Sequence, residues 1–250
     1  MSSETYYQSD LAWIHHVGYS QHVERVWPGV VDLLRDRGLA PGARVLDVGC
    51  GSGLLARKLQ DAGFEVLGVD ASPAMIELAR RHEPRANFQV VRLPTSRRQG
   101  SEGALPASDA VVSTGHVLNY LETRAQIAQA LAELARAVRR GGLLAIDLMT
   151  ERYRERPDLG AVHAKVEDDW VMVTRFSRPE PYGFDRAITV FRREAGAWRR
   201  SNEHHRNVTF DVDEALLVLR ENGVEAQARA SFGTEELPDG LAVLAGVRIN

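Results

Sequence analysis

Three glycines and one carboxylate lie close together early in the chain, in a pattern typical of a small-ligand site. The run Arg44–Val48 contains β-branched residues, as a buried parallel strand does, and Gly49, Gly51 and Gly53 follow it. A strand, a glycine turn and a helix in this order place backbone N–H groups at the carboxyl edge of a sheet, where ligands bind. Asp47 lies at the end of the strand, and its charge would repel a pyrophosphate but attract an ammonium group.

The spacing of the glycines argues against a dinucleotide ligand. The dinucleotide fingerprint G-x-G-x-x-G needs a third glycine three positions after the second, and Leu54 stands there instead. A second acid, Asp70, ends the next predicted strand about 20 residues beyond the loop, where a carboxylate is expected to bind ribose hydroxyls. Ser72 and Pro73 then predict the start of a helix, with a polar N-cap and a proline at its first position.

These two landmarks, Val45–Gly53 and Gly68–Met75, resemble those of the class I S-adenosylmethionine-dependent methyltransferases. The resemblance implies that S-adenosylmethionine is the cofactor and that the acid after the second strand holds both ribose hydroxyls. One departure from the family pattern is Arg92-Leu93, which stands where an acid usually ends the third strand. The cofactor-binding residues implied by the resemblance are Asp47, Gly49, Cys50, Gly51, Asp70, Ala71, Met75, Leu93, Thr114, Gly115 and Tyr19.

Histidines are the candidates for proton transfer, because their charge changes near neutral pH. In the family, the segment after the fourth strand meets the methionine end of the cofactor, which would place His116 near the sulfonium. His15 and His16 lie in leading helices that in the family often close over cofactor and substrate. We expect His116, His16 or His15 to act as a base if the acceptor must lose a proton, although each has a purely structural alternative. Since no spacing typical of metal ligands occurs, we expect no metal site.

The order of predicted elements indicates an α/β fold, a Rossmann-like doubly wound and mostly parallel seven-stranded sheet with an antiparallel last strand. Residues 1–42 are expected to form an N-terminal helical lid, and residues 43–160 the S-adenosylmethionine-binding core. Residues 161–210 contain three period-two runs, which predict an inserted antiparallel β subdomain over the active site. Residues 211–250 complete the core sheet.

Several local features are also predicted. The segment His15–Ser20 is expected to interrupt the leading helices, and a helix from Arg124 to Arg139 is expected to end at Gly141-Gly142. A hairpin turn is expected at Glu194–Ala197. In the third run of the insertion, alternation puts Arg200, Asn202, His204 and Arg206 on one face, and Arg199, Ser201, Glu203 and His205 on the other. One of these faces is expected to look into the pocket, where arginines of the insertion would hold an acidic substrate.

The bulk properties restrict the partners and the compartment. The chain has 250 residues, 44% of them hydrophobic, and a formal net charge of −3, so we expect no nucleic-acid partner. Cys50 is the only cysteine, which favours a reducing compartment. The polar stretch Met1–Thr5 lacks the layout of a signal peptide, and no apolar run approaches membrane-spanning length. We expect a cytoplasmic protein without membrane contact, either a monomer or a homodimer.

The sequence therefore predicts methyl transfer to an O, N or C nucleophile of a small-molecule acceptor. Three alternatives stay open. An NAD-type oxidoreductase would use the same kind of sheet, although the glycine spacing and Asp47 argue against it. A protein methyltransferase would need an open groove instead of a covered pocket, and a non-catalytic cofactor-binding scaffold would need no acceptor.

Overall fold

The computed structural model describes residues 6–95, 104–156, 161–179 and 181–250, so the polar stretch at residues 1–5 lies outside the described residues. Seven strands form the main sheet. They are β1 Arg44–Val48, β2 Glu65–Asp70, β3 Asn87–Val90, β4 Ser108–Ser113, β5 Val138–Met149, β10 Val224–Arg229 and β11 Leu241–Arg248. Their order is β10-β11-β5-β4-β1-β2-β3, and β11 is antiparallel to both of its neighbours. The predicted fold class is confirmed.

Helices surround this sheet and precede it. They are α1 Ser9–Gly18, α2 Ser20–Asp36, α3 Leu54–Asp61, α4 Pro73–His82, α5 Arg124–Ala137, α6 Glu151–Arg154 and α7 Val212–Glu221, with a short 3-10 helix at Val117–Tyr120. The α4 start is as predicted, because the Ser72 side chain accepts a hydrogen bond from the Met75 N–H and Pro73 takes the first helical position. Two apolar cores, one on each face of the sheet, hold the helices in place.

A second, antiparallel sheet is inserted between α6 and α7. Its strands, in spatial order, are β6 Val162–Val166, β7 Trp170–Ser177, β8 Gly183–Glu194 and β9 Ala197–Val208. The hairpin turn at Glu194–Ala197 is confirmed: Glu194 pairs with Ala197, and both Ala195 and Gly196 have positive φ, as a two-residue turn requires. The prediction of three strands was incomplete, because β6 is short and mostly exposed and has no buried apolar alternation.

The first helix lies against this second sheet. Leu11 and Ile14 of α1 form an apolar cluster with Trp170, Ile188 and Val190, all of them buried. Helix α1 also contacts α4 of the main domain. The N-terminal segment therefore lies between the inserted sheet and the carboxyl edge of the main sheet.

Two local predictions are wrong. Helix α1 continues to Gly18, so the interruption expected over His15–Ser20 is limited to Tyr19. Helix α5 ends at Ala137 instead of Arg139, because Val138 already pairs with Ser108 in the sheet. Gly141 and Gly142 lie within β5, where the register shifts, and a Cβ on Gly142 would lie 2.5 Å from the Asp109 carbonyl oxygen. These glycines thus allow an irregular strand and do not cap the helix.

In the part of the chain that the structure describes, no helix combines the length and the apolar character that crossing a membrane requires.

Candidate active site

The glycine loop has one open face, at Gly51. A Cβ on Gly49 would lie 2.2 Å from Cγ2 of Val117, and one on Gly53 would lie 3.1 Å from Cζ of Phe88. These two glycines are therefore required by protein packing. A Cβ on Gly51 would meet only the sulfur of Met75, at 3.9 Å, although Gly51 also has a positive φ of 52°. The loop thus leaves a cradle above the Gly51 backbone that a ligand can fill.

Two acids, the half-buried Asp70 and the buried Asp47, lie beneath this loop. The Asp70 carboxylate accepts hydrogen bonds from the N–H groups of Gly51, at 3.0 Å, and Ser72, at 2.8 Å. Burial nevertheless raises the pKa of Asp70. Asp47 is 1% exposed, and among the described residues its Oδ2 has no hydrogen-bond partner. Burial, and then the charge of Asp70, raise the pKa of Asp47 to about 7, so a cationic ligand would stabilise its charged form.

A third buried acid, Asp147 at the end of β5, was not among the sequence predictions. It accepts hydrogen bonds from the N–H groups of Gly115, at 3.0 Å, and His116, at 2.6 Å. Burial raises the pKa of Asp147 to about 7. It holds the turn after β4, in which Gly115 and His116 both have positive φ. The signal for it was a single acid within the otherwise apolar run Leu143–Met149.

The other residues expected to bind cofactor differ in burial and in position. Cys50 is buried against β2, because its sulfur would lie 2.9 Å from a Cβ on Gly68, and burial raises the pKa of its thiol. Leu93 is half-buried against an apolar core, Thr114 is half-buried after β4, and Ala71 is exposed after Asp70. Tyr19 lies at the inserted sheet, with its hydroxyl 3.9 Å from the sulfur of Met172.

The three candidate histidines separate into two locations. The ring of His15 stacks on Tyr19 and meets Tyr7 edge-on, at centroid distances of 5.5 and 5.2 Å. The ring of His116 is parallel to that of Tyr120 at 6.5 Å, and its Nδ1 is buried without a partner among the described residues. His16 lies apart from them, with Nδ1 2.8 Å from Oγ of Ser52 in the glycine loop and its ring stacked on His82.

Burial and nearby positive charges keep His15 and His116 neutral. Burial lowers the pKa of His15 to about 4, with further contributions from His22 and Arg186. The pKa of His116 is lowered well below its ordinary value by burial and then by the Arg186 charge. Both rings are therefore uncharged at neutral pH and able to accept a proton.

Arg186 is the centre of a half-buried polar cluster. Its Nη2 donates to the Tyr120 hydroxyl at 2.6 Å, and that hydroxyl lies 2.6 Å from the hydroxyl of Tyr7. Burial, followed by the proximity of Tyr120, raises the pKa of Tyr7 well above its ordinary value. Arg186 comes from β8, Tyr120 from the 3-10 helix and Tyr7 from the N-terminal segment. Three separate parts of the chain thus meet at one point.

The face of β9 that carries Glu203 and His205 looks toward the N-terminal segment. The Glu203 carboxylate accepts hydrogen bonds from the N–H groups of Tyr7, at 2.7 Å, and Gln8, at 2.8 Å. His205 is fully buried, and its Nε2 lies 2.7 Å from Glu203 Oε2. On the other side, the Ser72 hydroxyl donates to the Tyr7 carbonyl at 2.7 Å. The Tyr7 backbone therefore bridges the inserted sheet and the start of α4.

Sequence reasoning did not name Arg186 or Tyr120 as site residues, and it left open which face of β9 carries the site. Arg186 meets Tyr120 across 66 positions of sequence, and Glu203 meets Tyr7 across 196 positions. Alternation along β9 predicts two faces but not which of them lies against the rest of the chain. The structure identifies it as the Glu203 face, because Arg199 on that face pairs with the buried Asp10 of α1. Within the described residues, no group of three or more His, Cys, Asp or Glu side chains is arranged to hold a metal ion.

The fold and the glycine-loop site correspond to known proteins. A family model described as a methyltransferase domain matches residues 45–142. A protein from Geobacillus sp. (strain WCH70) described as a methyltransferase is 26% identical over 208 residues, which cover 82% of this chain and 83% of that protein. Residues 45–142 of this chain thus form a methyltransferase domain. The comparisons support the predicted class I S-adenosylmethionine-dependent methyltransferase, with S-adenosylmethionine as the cofactor.

Two solved structures share the fold over almost the whole chain. The sugar N-methyltransferase from Streptoalloteichus sp. ATCC 53650 has a TM-score of 0.78 at 21% identity, and covers 100% of this chain and 97% of its own. An amino pentose methyltransferase from Micromonospora echinaspora has a TM-score of 0.71 at 23% identity, and covers 99% of this chain and 100% of its own. At these identities the likeness shows the fold alone.

Proposed function

We propose that this chain transfers the methyl group of S-adenosylmethionine to a nucleophile of a small polar molecule. The observation that carries the proposal is the half-buried cluster of Arg186, Tyr120 and Tyr7, which lies between the glycine-loop domain and the inserted sheet. Such convergent polar groups, enclosed on several sides, are typical of a small-molecule pocket. The descriptions of the two solved neighbours, a sugar N-methyltransferase and an amino pentose methyltransferase, are consistent with a small acceptor.

The cofactor-binding assignments follow from the loop geometry. The open face of Gly51 would let the cofactor lie directly against the loop backbone. Asp70 would give up part of its hydrogen bonding to the loop and accept hydrogen bonds from the ribose hydroxyls instead. Asp47, with an unpartnered oxygen and a pKa of about 7, would hold the ammonium group in its charged form. We assign to the cofactor site Asp47, Gly49, Cys50, Gly51, Asp70, Ala71, Met75, Leu93, Thr114, Gly115 and Tyr19.

The chain's own residues have to align the acceptor and receive one proton. S-Adenosylmethionine supplies an electrophilic methyl group when bound, because its sulfur is cationic. The aromatic cluster positions the acceptor and excludes water, which is a proximity effect. His116 is our first candidate for the base, since its Nδ1 is buried and unpartnered within the described residues and its ring is neutral. Burial lowers the pKa of His15 as well as that of His116, so basicity does not separate them. The His15 ring is held between Tyr19 and Tyr7, and His16 is engaged with Ser52.

Binding and turnover test the proposal separately. Calorimetry should detect S-adenosylhomocysteine binding and no comparable binding of NAD, which would exclude the oxidoreductase alternative. Release of S-adenosylhomocysteine from S-adenosylmethionine should then depend on small amines, alcohols or acids, and not on protein or peptide mixtures. Turnover with peptides alone would contradict the small-molecule assignment. Tight cofactor binding without turnover on any acceptor class would favour the scaffold alternative.

A further inference from the structure

The positive charge of Arg186 has no acid partner among the described residues. Its Nη2 bonds to a neutral phenol, that of Tyr120, and its Nε is buried without any hydrogen-bond partner there. A guanidinium stays charged in proteins, and a charge that is partly withdrawn from water without a counter-ion is costly. A bound anion would therefore supply the counter-charge and the hydrogen-bond acceptor that Arg186 lacks among the described residues.

Two acids on the same pair of strands, Glu203 and Asp185, are already engaged. Both oxygens of Glu203 accept hydrogen bonds, from His205 and from the N–H groups of Tyr7 and Gln8. Asp185, next to Arg186 in sequence, points to the other face of β8, where it lies 3.6 Å from His204. Neither carboxylate is available to neutralise the guanidinium, so the charge is left for a ligand.

A hydrogen-bond acceptor stands directly across from Arg186. His205 is its cross-strand neighbour, and such pairs have Cβ atoms about 4.5–5.5 Å apart. Nε2 of His205 faces a carboxylate, so it carries the ring proton, and burial lowers the pKa of His205, which keeps the ring neutral. Its buried Nδ1, unpartnered within the described residues, is then a lone-pair acceptor. A donor at Arg186 and an acceptor at His205 lie side by side.

We propose that Arg186 binds an oxyanion of the methyl acceptor, a carboxylate or a phosphate, while His205 Nδ1 accepts a hydrogen bond from a hydroxyl or amino group close to that anion. The substrate class is thus a small hydroxy or amino acid, or a similarly substituted phosphate. This inference rests on the proposed function, since it describes the acceptor half of the same site. Arg186 belongs to the inserted sheet, outside the residues 45–142 that match the methyltransferase domain and carry the glycine loop, which favours the acceptor over the cofactor as the source of the anion.

The test uses the full chain loaded with S-adenosylhomocysteine and measures glycolate binding by calorimetry, with glycolamide as the uncharged analogue and inorganic phosphate as the second anion. Glycolate or phosphate should bind at least tenfold more tightly than glycolamide. Arg186→Met should lose at least tenfold of that anion affinity and keep S-adenosylhomocysteine affinity within about threefold. Arg175→Met removes the same charge from the exposed face of the same sheet and should leave both affinities unchanged.

Three results would overturn the inference. The first is anion affinity that survives in Arg186→Met, and the second is anion binding to the unaltered chain that is no tighter than glycolamide binding. The third is a loss of S-adenosylhomocysteine affinity in Arg186→Met as large as the loss of anion affinity, which would mean that Arg186 holds the cofactor's own carboxylate. Arg186→Lys keeps the charge but lacks Nε, and an intermediate loss of anion affinity is expected, so the test also holds if the methionine variant fails to fold. Failure of the unaltered chain to bind S-adenosylhomocysteine would instead refute the proposed function.

Discussion

At the scale of single residues, the glycine loop combines two different needs. Gly49 and Gly53 make room for the protein's own side chains, whereas Gly51 faces open space. Beneath them, Asp47 and Asp70 carry pKa values that burial raises. The loop is therefore built to gain stability when a cationic ligand arrives, and this leads to three predictions about individual side chains.

Gly51→Ala should weaken S-adenosylhomocysteine binding at least tenfold, because the new methyl group would occupy the open face of the loop. The substitution also places alanine at a positive φ, which costs about 1–2 kcal/mol of stability. Gly42→Ala is the matched control, since Gly42 has a φ of 86° and a Cβ there meets nothing within 4 Å. Both variants should melt earlier, but only Gly51→Ala should lose affinity in calorimetry. Equal affinities would remove Gly51 from the site.

Asp70→Ala should reduce the affinity for S-adenosylhomocysteine by about 1.5–3 kcal/mol, or about 10- to 150-fold, the range for a lost hydrogen bond to a charged group. Glu65→Ala, at the exposed start of the same strand, should have no effect on affinity. Calorimetry on both variants, with circular dichroism to verify folding, makes the comparison. A folded Asp70→Ala protein with unchanged affinity would refute the ribose assignment.

Asp47 should make the ligand-free protein less stable as the pH rises. The folded chain keeps the Asp47 proton up to about pH 7, whereas an unfolded aspartate with a pKa of 3.8 loses it earlier. Stability from this group therefore falls between these pH values and stays low above them. Asp47→Asn should raise the melting temperature by about 2–4 °C or more at pH 8, and by little at pH 4.

The control for this effect has the opposite sign. Asp109 accepts hydrogen bonds from the Arg44 N–H and the Arg139 guanidinium, so Asp109→Asn should lower the melting temperature at pH 8. Thermal melts of both variants at the two pH values, without ligand, give the comparison. A gain for Asp47→Asn that is equal at pH 4 and pH 8 would show that titration is not the cause.

At the scale of elements, α1 is attached on two sides. Its apolar face packs on the inserted sheet, and the preceding backbone at Tyr7 bonds to Glu203 on that sheet and to Ser72 at α4. Ser72 lies two positions after the ribose-binding candidate Asp70, and its N–H donates to the Asp70 carboxylate. A ligand bound at Asp70 would therefore act on one end of this attachment. The helical character of this segment is confirmed, and its role as a lid stays a prediction.

Amides of Leu11–Tyr19 should exchange more slowly when S-adenosylhomocysteine is added, because the ligand would stabilise the glycine loop and Ser72 against which the segment lies. Hydrogen exchange followed by mass spectrometry measures this directly. Helix α7, which packs on α5 and β10, serves as the internal reference and should not change. Identical protection of Leu11–Tyr19 in both states would make α1 fixed structure and would weaken the claim of His15 and His16 to the site.

At the scale of the whole molecule, what the sequence predicts depends on how local the contacts are. The glycine loop, Asp70 and the start of α4 lie within one short segment. Their pattern was enough to predict the cofactor and the edge of the main sheet at which it binds, and the order of the elements predicted the fold class. Arg186, Tyr120 and Glu203 could not be predicted as a site, since their meeting depends on the register of β8 with β9 and on where the insertion rests. Alternation along β9 defined two faces, but only packing against α1 distinguishes them.

Asn119 joins the two sheets, and its removal should affect the entire fold. It is fully buried, its Nδ2 donates to the carbonyls of Met149, at 3.0 Å, and Val208, at 2.7 Å, and its Oδ1 accepts from the Met149 N–H at 2.8 Å. Asn119→Ala leaves these backbone groups unpaired and should cost about 3 kcal/mol or more in the free energy of unfolding by urea. Asn202→Ala, at an exposed position of β9, should cost less than about 0.5 kcal/mol. A similar loss in both variants would contradict the bridging role.

The same junction bears on how such an enzyme acquires new acceptors. The chain leaves the main sheet at Met149 and returns at Phe210, whose N–H bonds to the Met149 carbonyl at 3.0 Å. One backbone hydrogen bond thus joins the two ends of the segment, so the residues between Met149 and Phe210 form a single insertion. A segment with this geometry can be lengthened, recombined or replaced by a graft from a relative without altering the order of the seven strands. Arg186 and His205, the proposed acceptor-binding residues within this segment, could consequently change without altering the strands that carry the glycine loop.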